Sequence, residues 1–322
     1  MRLLKYFSLI LFLYGSAQSQ TSFTVYQMNL QHGEGTDTSF NFQRQINAIS
    51  DGDIIAVQER STTENGWDTP LANAGFTQAV YRENSTLGDG NALWIKNTIT
   101  VNSTNSIKLS NGFVGTGGVD VDKSAVSANV TINGKTFNVV SVHLCWSACS
   151  EQQRTDQANA LLSWVNSTLG ANTVIFGDMN FVPTSTQEAL FATNYYDLWQ
   201  FGIDNSIATA NWGDRNSDGI TDMPVDSNSI THDTRRIDRG YKNKSFSAIV
   251  LTSVSIPDTR ATCPHALVND GGLLPACTPE VQQLWDVTGD FGVKPTDHNI
   301  TKFVFSTVTV KKCQFNTVPA CQ

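Results

Sequence analysis

The chain has 322 residues and a formal net charge of −8, from 21 Lys and Arg against 29 Asp and Glu. This acidic balance argues against loose, purely electrostatic adhesion to nucleic acid, although a bound metal ion can supply local positive charge. A chain of this length with 40% hydrophobic residues can bury one large core. We therefore expect a single folded domain over residues 21–310.

The first 20 residues have the pattern of a secretory signal peptide. Two basic residues, Arg2 and Lys5, precede an apolar run at 6–14, and small residues follow at 15–17. A buried core helix is the alternative, but the run is short and has a basic start. No later stretch reaches the roughly 20 apolar residues that a membrane-spanning helix needs. The sequence therefore predicts export from the cell and no stable insertion in a membrane.

Short apolar segments rich in β-branched residues, often alternating with polar ones, predict strands at 23–29, 53–59, 91–96, 124–132, 136–144, 173–177 and 301–310. Helical spacing of apolar residues predicts helices at 40–49 and 151–169, with Ser150 capping the second. Asn133 and Gly134 lie between two alternating runs and predict a hairpin turn. Residues 203–232 and 257–296 resemble large surface loops. This irregular mixture predicts an α+β sandwich.

All six cysteines lie after the predicted signal peptide, and an even number in an exported chain indicates disulfides. A zinc site is the alternative, but the cysteine separations match no common zinc finger. Short separations favour pairing of neighbours, although the sequence leaves the connectivity open. The favoured pairs are Cys145 with Cys149, Cys263 with Cys277, and Cys313 with Cys321, the last within a C-terminal tail at 311–322.

Carboxylates, amides and histidines recur at the C-terminal ends of the predicted strands. A single carboxylate after a strand is more often a turn or cap residue than a ligand. Several strand ends together are hard to explain in that way, so we expect a functional site at one rim of the sheets. The residues are Asn29, Glu59, His143, Asp178 and Asn180, with Asp297 and His298 just before the last strand.

The ordered motifs MNLQHG, DIIAVQE, VSVHL, FGDMN, RRIDRG and TDHN resemble those of the endonuclease/exonuclease/phosphatase superfamily, in its deoxyribonuclease I-like branch. Each motif is weak alone, but six in the family's order, from Asn29 through Asn299, are specific. The resemblance implies a four-layer αββα sandwich with the active site at the top of two central sheets. It also implies a metal-dependent phosphodiester hydrolase.

The resemblance implies a role for each matched residue. Glu59 would be the principal ligand of Mg²⁺ or Mn²⁺, with Asn29 and Asp297 completing or flanking the site. Such hard ions prefer oxygen ligands.

Among the catalytic residues, Asp178 would orient the attacking water and Asn180 would hold a non-bridging phosphate oxygen. His298, oriented by Asp238, would be the general base or bind the phosphate. His143 would protonate the leaving oxygen or bind the phosphate.

Two further positions depart from the family pattern or have alternative partners. Arg239 stands where many relatives have an aromatic residue, and we expect a phosphate contact there, with a solvated basic face as the alternative. A carboxylate usually holds the second nitrogen of a catalytic imidazole. For His143, that carboxylate would be Asp89 or Glu83.

Residues 214–222 have the D-x-N-x-D-G-x-x-D spacing of a calcium loop, with Asp214, Asn216, Asp218 and Asp222 as oxygen ligands. The loop lacks the terminal glutamate of an EF-hand, and a plain turn is the alternative. We expect a structural Ca²⁺ ion.

Three functions fit the sequence: a secreted endonuclease, a secreted phospholipase C-type sphingomyelinase, and a non-catalytic binding module of the same fold. Export, two histidines and Arg239 favour an endonuclease acting on DNA. A lipid enzyme would have an apolar hairpin near the site, for which Trp285 and Phe291 are weak candidates. The intact site residues argue against a binding module. We expect a monomer. The sequence does not show whether the protein has a delivery partner, as a toxin subunit would.

Overall fold

The structure is a computed structural model that describes residues 21–30, 46, 49–61, 68–84, 89–209, 237–257 and 300–308. Several predictions lie outside the described residues: the signal peptide, the calcium loop at 214–222, Asp297, His298, and the cysteine pairs at 263/277 and 313/321. Of the helix predicted at 40–49, the described residues are Ile46 and Ile49, which are helical and buried. No helix in these described ranges is both long and apolar enough to cross a membrane.

Thirteen strands run through the described part of the chain. They are β1 (Ser22–Asn29), β2 (Ile54–Ser61), β3 (Phe76–Glu83), β4 (Asp89–Lys96), β5 (Thr100–Lys108), β6 (Ser124–Ile132), β7 (Lys135–His143), β8 (Thr173–Asp178), β9 (Tyr195–Asp197), β10 (Ala208–Thr209), β11 (Asp238–Asn243), β12 (Ile249–Ser255) and β13 (Thr301–Thr307). The seven predicted strands correspond to β1, β2, β4, β6, β7, β8 and β13, so those predictions are confirmed.

Besides the helical residues Ile46 and Ile49, the described α-helices are α1 (Asp68–Asn73), α2 (Glu151–Trp164), α3 (Thr186–Ala192) and α4 (Leu198–Asp204), and a short 3-10 turn spans Thr116–Gly118. A π-helical turn at Val165–Leu169 extends α2, which confirms the helix predicted at 151–169. Ser150 caps α2 in a capping box with Gln153, so two backbone N–H groups at the helix start are satisfied.

The strands form two mixed sheets, described in the order β10-β12-β13-β1-β2-β4-β3 and β5-β6-β7-β8-β11-β9. Each sheet has a parallel pair near its centre, and the first sheet has a further parallel pair, β10 with β12, at one edge. In the first sheet β1 and β2 are parallel, with Asn29 beside Gln58, and in the second β7 and β8 are parallel, with His143 beside Asp178. The C-terminal ends of these four strands therefore lie at one end of the sheets.

The alternation of side chains along β1 shows how the layers form. Phe23 and Val25 face the second sheet and join the large apolar core between the sheets. Tyr26 and Met28 face outward and pack with Ile46, Ile49 and Leu71. On the far face of the second sheet, α2 packs its apolar stripe on β7 and β8, including Ala158, Leu161 and Trp164. The arrangement is the αββα sandwich that the resemblance implied.

Two glycines are required by the backbone near the parallel pair β7 and β8. Asn133 and Gly134 have φ angles of 51° and 73°, which confirms the two-residue hairpin turn between β6 and β7. Gly177 lies beside Val142, and a Cβ atom there would approach the Val142 carbonyl oxygen to 1.9 Å. Glycine at 177 therefore allows β8 to lie against β7 one residue before Asp178.

Candidate active site

Five of the predicted site residues converge at the C-terminal ends of β1, β2, β7 and β8. The Asn29 amide nitrogen donates to Glu59 Oε1 at 3.1 Å and to Asp178 Oδ2 at 3.0 Å. His143 Nε2 lies 3.6 Å from Glu59 Oε1 and 3.5 Å from Asp178 Oδ2. Asn180 is in the same cluster, with its Nδ2 atom 3.0 Å from His143 Nε2. These contacts join the two sheets at one rim.

Unusual backbone conformations direct two of these side chains into the site. Glu59 has a φ of 55° and Asn180 a φ of 50°, the left-handed region that non-glycine residues rarely adopt. Glu59 coincides with a register shift in the β2–β4 pairing between Val57 and Arg60. Such bulges and strained residues occur often at active sites, where they re-aim a side chain.

The arrangement fits a divalent cation with oxygen ligands. Ligand atoms of Glu59, His143 and Asp178 lie within 4.8 Å of one another. The two carboxylates supply the hard, charged donors that Mg²⁺ and Mn²⁺ prefer. Asn29 presents its amide nitrogen to both carboxylates, so its oxygen can become a ligand only when the amide turns.

The neighbour of the second nitrogen of His143 is a residue that the sequence did not indicate. Lys123 Nζ lies 3.3 Å from His143 Nδ1, and Lys123 is 3% exposed. The described contacts therefore correct the prediction that Asp89 or Glu83 holds this nitrogen. Asp89 affects His143 only indirectly, because its negative charge favours the protonated form of Lys123.

A buried polar layer lies between the sheets beneath the site. Gln27 donates to Asp238 Oδ1 at 2.7 Å and to Gln58 Oε1 at 2.8 Å. Gln58 donates to Ser141 Oγ at 2.8 Å, and that hydroxyl donates to the Val57 carbonyl oxygen. Asp238 is thus buried under the cluster, while its predicted partner His298 lies outside the described residues.

The sequence did not indicate Gln27, Gln58 and Ser141 as site residues, because each lies within an otherwise apolar strand. A signal was present, since Gln27 and Gln58 each lie close before a predicted metal ligand. Polar side chains at inward-facing positions need buried partners. Such partners are available only where the two sheets meet.

Arg239 does not lie in this cluster. Alternation along β11 turns Arg239 to the outer face of the sheet, opposite Asp238, where it is 1% exposed and packs against the Phe181 ring. Its guanidinium pairs with Glu188 and, at 3.3 Å, with Asp197. The phosphate contact predicted for Arg239 is therefore corrected, because two partly buried carboxylates already bind this cation.

A disulfide holds the loop that follows His143. Cys145 and Cys149 are bonded, which confirms the first predicted pair. The loop is tied to the 109–123 connection, where Thr116 N donates to the Ala148 carbonyl oxygen at 2.8 Å. Gln157 of α2 joins both segments by accepting from Cys145 N and donating to the Val121 carbonyl oxygen. His143 and Lys123 are therefore held on two segments that are bonded to each other.

Comparisons with known structures find the same fold at low sequence identity. An endonuclease/exonuclease/phosphatase from Bacteroides vulgatus is 16% identical, with a TM-score of 0.60, over 90% of this chain and 100% of that one. D. rerio TDP2 in complex with a single-strand DNA product is 13% identical, with a TM-score of 0.58, over 89% and 100%. A mannosyl-6-phosphatase from Bacteroides thetaiotaomicron is 16% identical, with a TM-score of 0.57, over 87% and 98%.

A comparison with curated protein sequences found no match. The sequence profile of the Endonuclease/Exonuclease/phosphatase family matches residues 27–298, which include every residue of the cluster described above. Members of this family are metal-dependent hydrolases of phosphoester bonds. The chain therefore belongs to the endonuclease/exonuclease/phosphatase family.

Proposed function

We propose that the protein is a secreted, divalent-metal-dependent phosphodiester hydrolase that cleaves DNA as an endonuclease. The observation that carries this proposal is the convergence of Glu59, His143 and Asp178 from three strand ends with Asn180 from the segment after β8. A non-catalytic module of this fold would have no need for two carboxylates and an imidazole within contact of one another.

The cluster offers a group for each task in phosphodiester hydrolysis. In-line attack requires a positioned water, stabilisation of charge on the phosphoryl oxygens, and a donor for the leaving oxygen. A divalent cation bound by Glu59 would polarise the phosphate. Asp178 can accept a hydrogen bond from the attacking water, and the Asn180 amide can donate to a phosphate oxygen. His143 can donate to the leaving oxygen.

Nucleic acid is the substrate class that the comparisons favour. The structure of TDP2 with a DNA product has this fold, and family members act on nucleic acids. Since the chain is acidic overall, we expect affinity for DNA to depend on the bound cation rather than on a basic surface.

A lipid phosphodiester is the second candidate, supported by an apolar feature near the site. The 109–123 connection, whose last residue Lys123 contacts His143, exposes two valines. Val114 is 61% exposed and Val119 is 39% exposed. Exposed apolar side chains on a loop of this kind can insert into a lipid surface. Sphingomyelin hydrolysis is therefore the reaction to compare with DNA cleavage.

The test is hydrolysis of plasmid DNA, RNA, sphingomyelin, bis-p-nitrophenyl phosphate and p-nitrophenyl phosphate by purified protein. Assays contain Mg²⁺, Mn²⁺ or EDTA. We expect metal-dependent nicking of plasmid DNA that falls at least about 100-fold in Glu59→Gln, because a ligand carboxylate is lost. The exposed Glu83→Gln is the matched control. Cleavage of sphingomyelin alone would select the lipid enzyme, and hydrolysis of the monoester alone a phosphatase.

A further inference from the structure

Lys123 is a buried cation that no part of the proposed reaction yet uses. It ends the connection between β5 and β6 and lies next to Ser124, the first residue of β6. Its Nζ atom lies 3.3 Å from His143 Nδ1 and 4.9 Å from the centre of the Trp146 ring. Its backbone is fixed as well, because Lys123 N donates to Ser110 Oγ and Lys123 O accepts from Leu109 N.

We propose that Lys123 is a positioning residue for His143, which holds the imidazole as its Nε2–H tautomer and thereby excludes His143 from the ligands of the metal ion. The tautomer depends on the contacts of the ring and on the ammonium form of Lys123. Its contribution to catalysis rests on the proposed function.

The tautomer follows from the number of donors and acceptors. An ammonium group has three N–H donors and no acceptor, whereas a neutral imidazole has one donor and one acceptor. If Lys123 donates to His143, then Nδ1 is the acceptor and the proton is on Nε2. A ring nitrogen that carries a proton has no lone pair for a metal ion, so Glu59 and Asp178 must bind the cation without Nε2.

A second contact competes for the same ring. Asn180 Nδ2 lies 3.0 Å from Nε2, and it also donates to the Leu144 carbonyl oxygen at 2.8 Å. A neutral imidazole cannot accept from both Lys123 and Asn180. Among the described residues, Nδ1 is the one hydrogen-bond acceptor of the Lys123 ammonium, whereas the Asn180 amide also donates to a carbonyl oxygen. Lys123 therefore determines which nitrogen accepts, and Nε2–H faces the carboxylates of Glu59 and Asp178.

Burial and the neighbouring charges act on the ammonium form of Lys123 in opposite directions. Burial is the largest effect and lowers the pKa of Lys123 overall, whereas nearby carboxylates and a cation–π contact with the Trp146 ring favour the charged form. The carboxylates are those of Asp89, Glu59, Asp178 and Asp120. The Lys123 side chain is buried and its ammonium group lies over the Trp146 ring, so it has little room to move away from His143.

The first experiment reads the tautomer directly by ¹⁵N imidazole NMR of the metal-free protein. His143→Ala identifies the His143 signals among those of the five histidines. We expect an unprotonated Nδ1 and a protonated Nε2 in the wild type. In Lys123→Met we expect the proton to move at least partly to Nδ1, because Asn180 then becomes the remaining donor to Nε2. Lys123→Arg keeps donors at this position and should keep the wild-type tautomer.

A wild-type ring protonated at Nδ1, or an unchanged tautomer in a folded Lys123→Met variant, would overturn the proposal. Thermal unfolding shows whether the variants are folded. If Lys123→Met does not fold, the spectra of the wild type and of Lys123→Arg still show which ring nitrogen of His143 carries the proton.

The second experiment measures kinetics on the substrate found above. We expect Lys123→Met to lower kcat by about 10- to 100-fold with KM nearly unchanged, since a misplaced donor weakens the transition state. Lys123→Arg should recover part of the loss. Lys302→Met, which removes a lysine from the outer face of the first sheet, should have wild-type kcat. An unchanged kcat in Lys123→Met would contradict the proposed contribution of Lys123 to catalysis. An inactive wild-type protein would count against the proposed function, but the NMR test of the tautomer would still stand.

Discussion

Arg239 illustrates at the scale of one residue how a buried charge depends on its partners. Its guanidinium is buried with Glu188, Asp197 and the Tyr241 hydroxyl. Although burial itself lowers the pKa of Arg239, the neighbouring Tyr241, Asp197 and Glu188 raise it. Burial also raises the pKa of the Tyr241 hydroxyl, so that this group stays protonated and can donate to Glu188.

Removal of this cation should strongly destabilise the fold. We expect Arg239→Met to lower the free energy of unfolding by about 3–5 kcal/mol, because two largely enclosed carboxylates would lose the cation that neutralises them. Arg154→Met is the matched control, since Arg154 pairs with the exposed Glu151 and should change stability by no more than about 1 kcal/mol. Urea unfolding followed by fluorescence measures both values. Equal effects in the two variants would contradict the assigned structural role.

Lys123 and Arg239 show what the sequence could and could not reveal. Asn29, Glu59, His143, Asp178 and Asn180 were found because each follows an apolar strand. Lys123 precedes a strand. It reaches His143 only because antiparallel pairing brings the start of β6 beside the end of β7. Arg239 follows Asp238 in a family motif, but strand alternation sends it to the other face of the sheet. Both outcomes depend on sheet geometry rather than on local pattern.

At the scale of secondary structure, the predicted strands were those buried on both faces, such as β8. The apolar pattern did not predict β5, because its residues are largely exposed and polar. This strand is held by its pairing with β6. The pattern also failed for β11, where charged residues are buried because Glu188 and Asp197 come from other elements. A strand stabilised by partners distant in sequence has no local hydrophobic signal.

The disulfide of the loop after β7 should matter for both stability and activity. We expect Cys145→Ser with Cys149→Ser to lower the free energy of unfolding by about 2 kcal/mol, the value for closing a short loop. Activity should fall as well, because the loop carries Trp146 against Lys123 and begins two residues after His143. Urea unfolding and the DNA assay measure these effects. An active, equally stable double variant would show that the loop needs no covalent closure.

At the scale of the whole molecule, the two sheets are joined by different interactions along their length. Aromatic and aliphatic side chains fill most of the space between them, with Phe176 packed on Phe303 and Phe305. Toward the site this core changes to the polar layer of Gln27, Gln58 and Asp238. The sheets therefore end in a rim where polar groups from both are already fixed before a ligand arrives.

This rim brings like charges together, so a bound cation should stabilise the entire fold. The Asn29 amide holds the Glu59 and Asp178 carboxylates near each other. A cation that binds the folded state alone stabilises it by about 2.7 kcal/mol at a concentration of 100 times Kd. For a chain of this size we expect a rise in Tm of several degrees with Mg²⁺ or Mn²⁺.

Glu59→Gln separates this effect from binding elsewhere. The variant should lose the metal-dependent rise in Tm, yet without metal it should be at least as stable as the wild type, because one of two neighbouring negative charges is gone. Glu83→Gln should keep the full rise. Calorimetry with and without Mn²⁺ measures all three proteins, and an undiminished rise in Glu59→Gln would place the stabilising cation outside this rim.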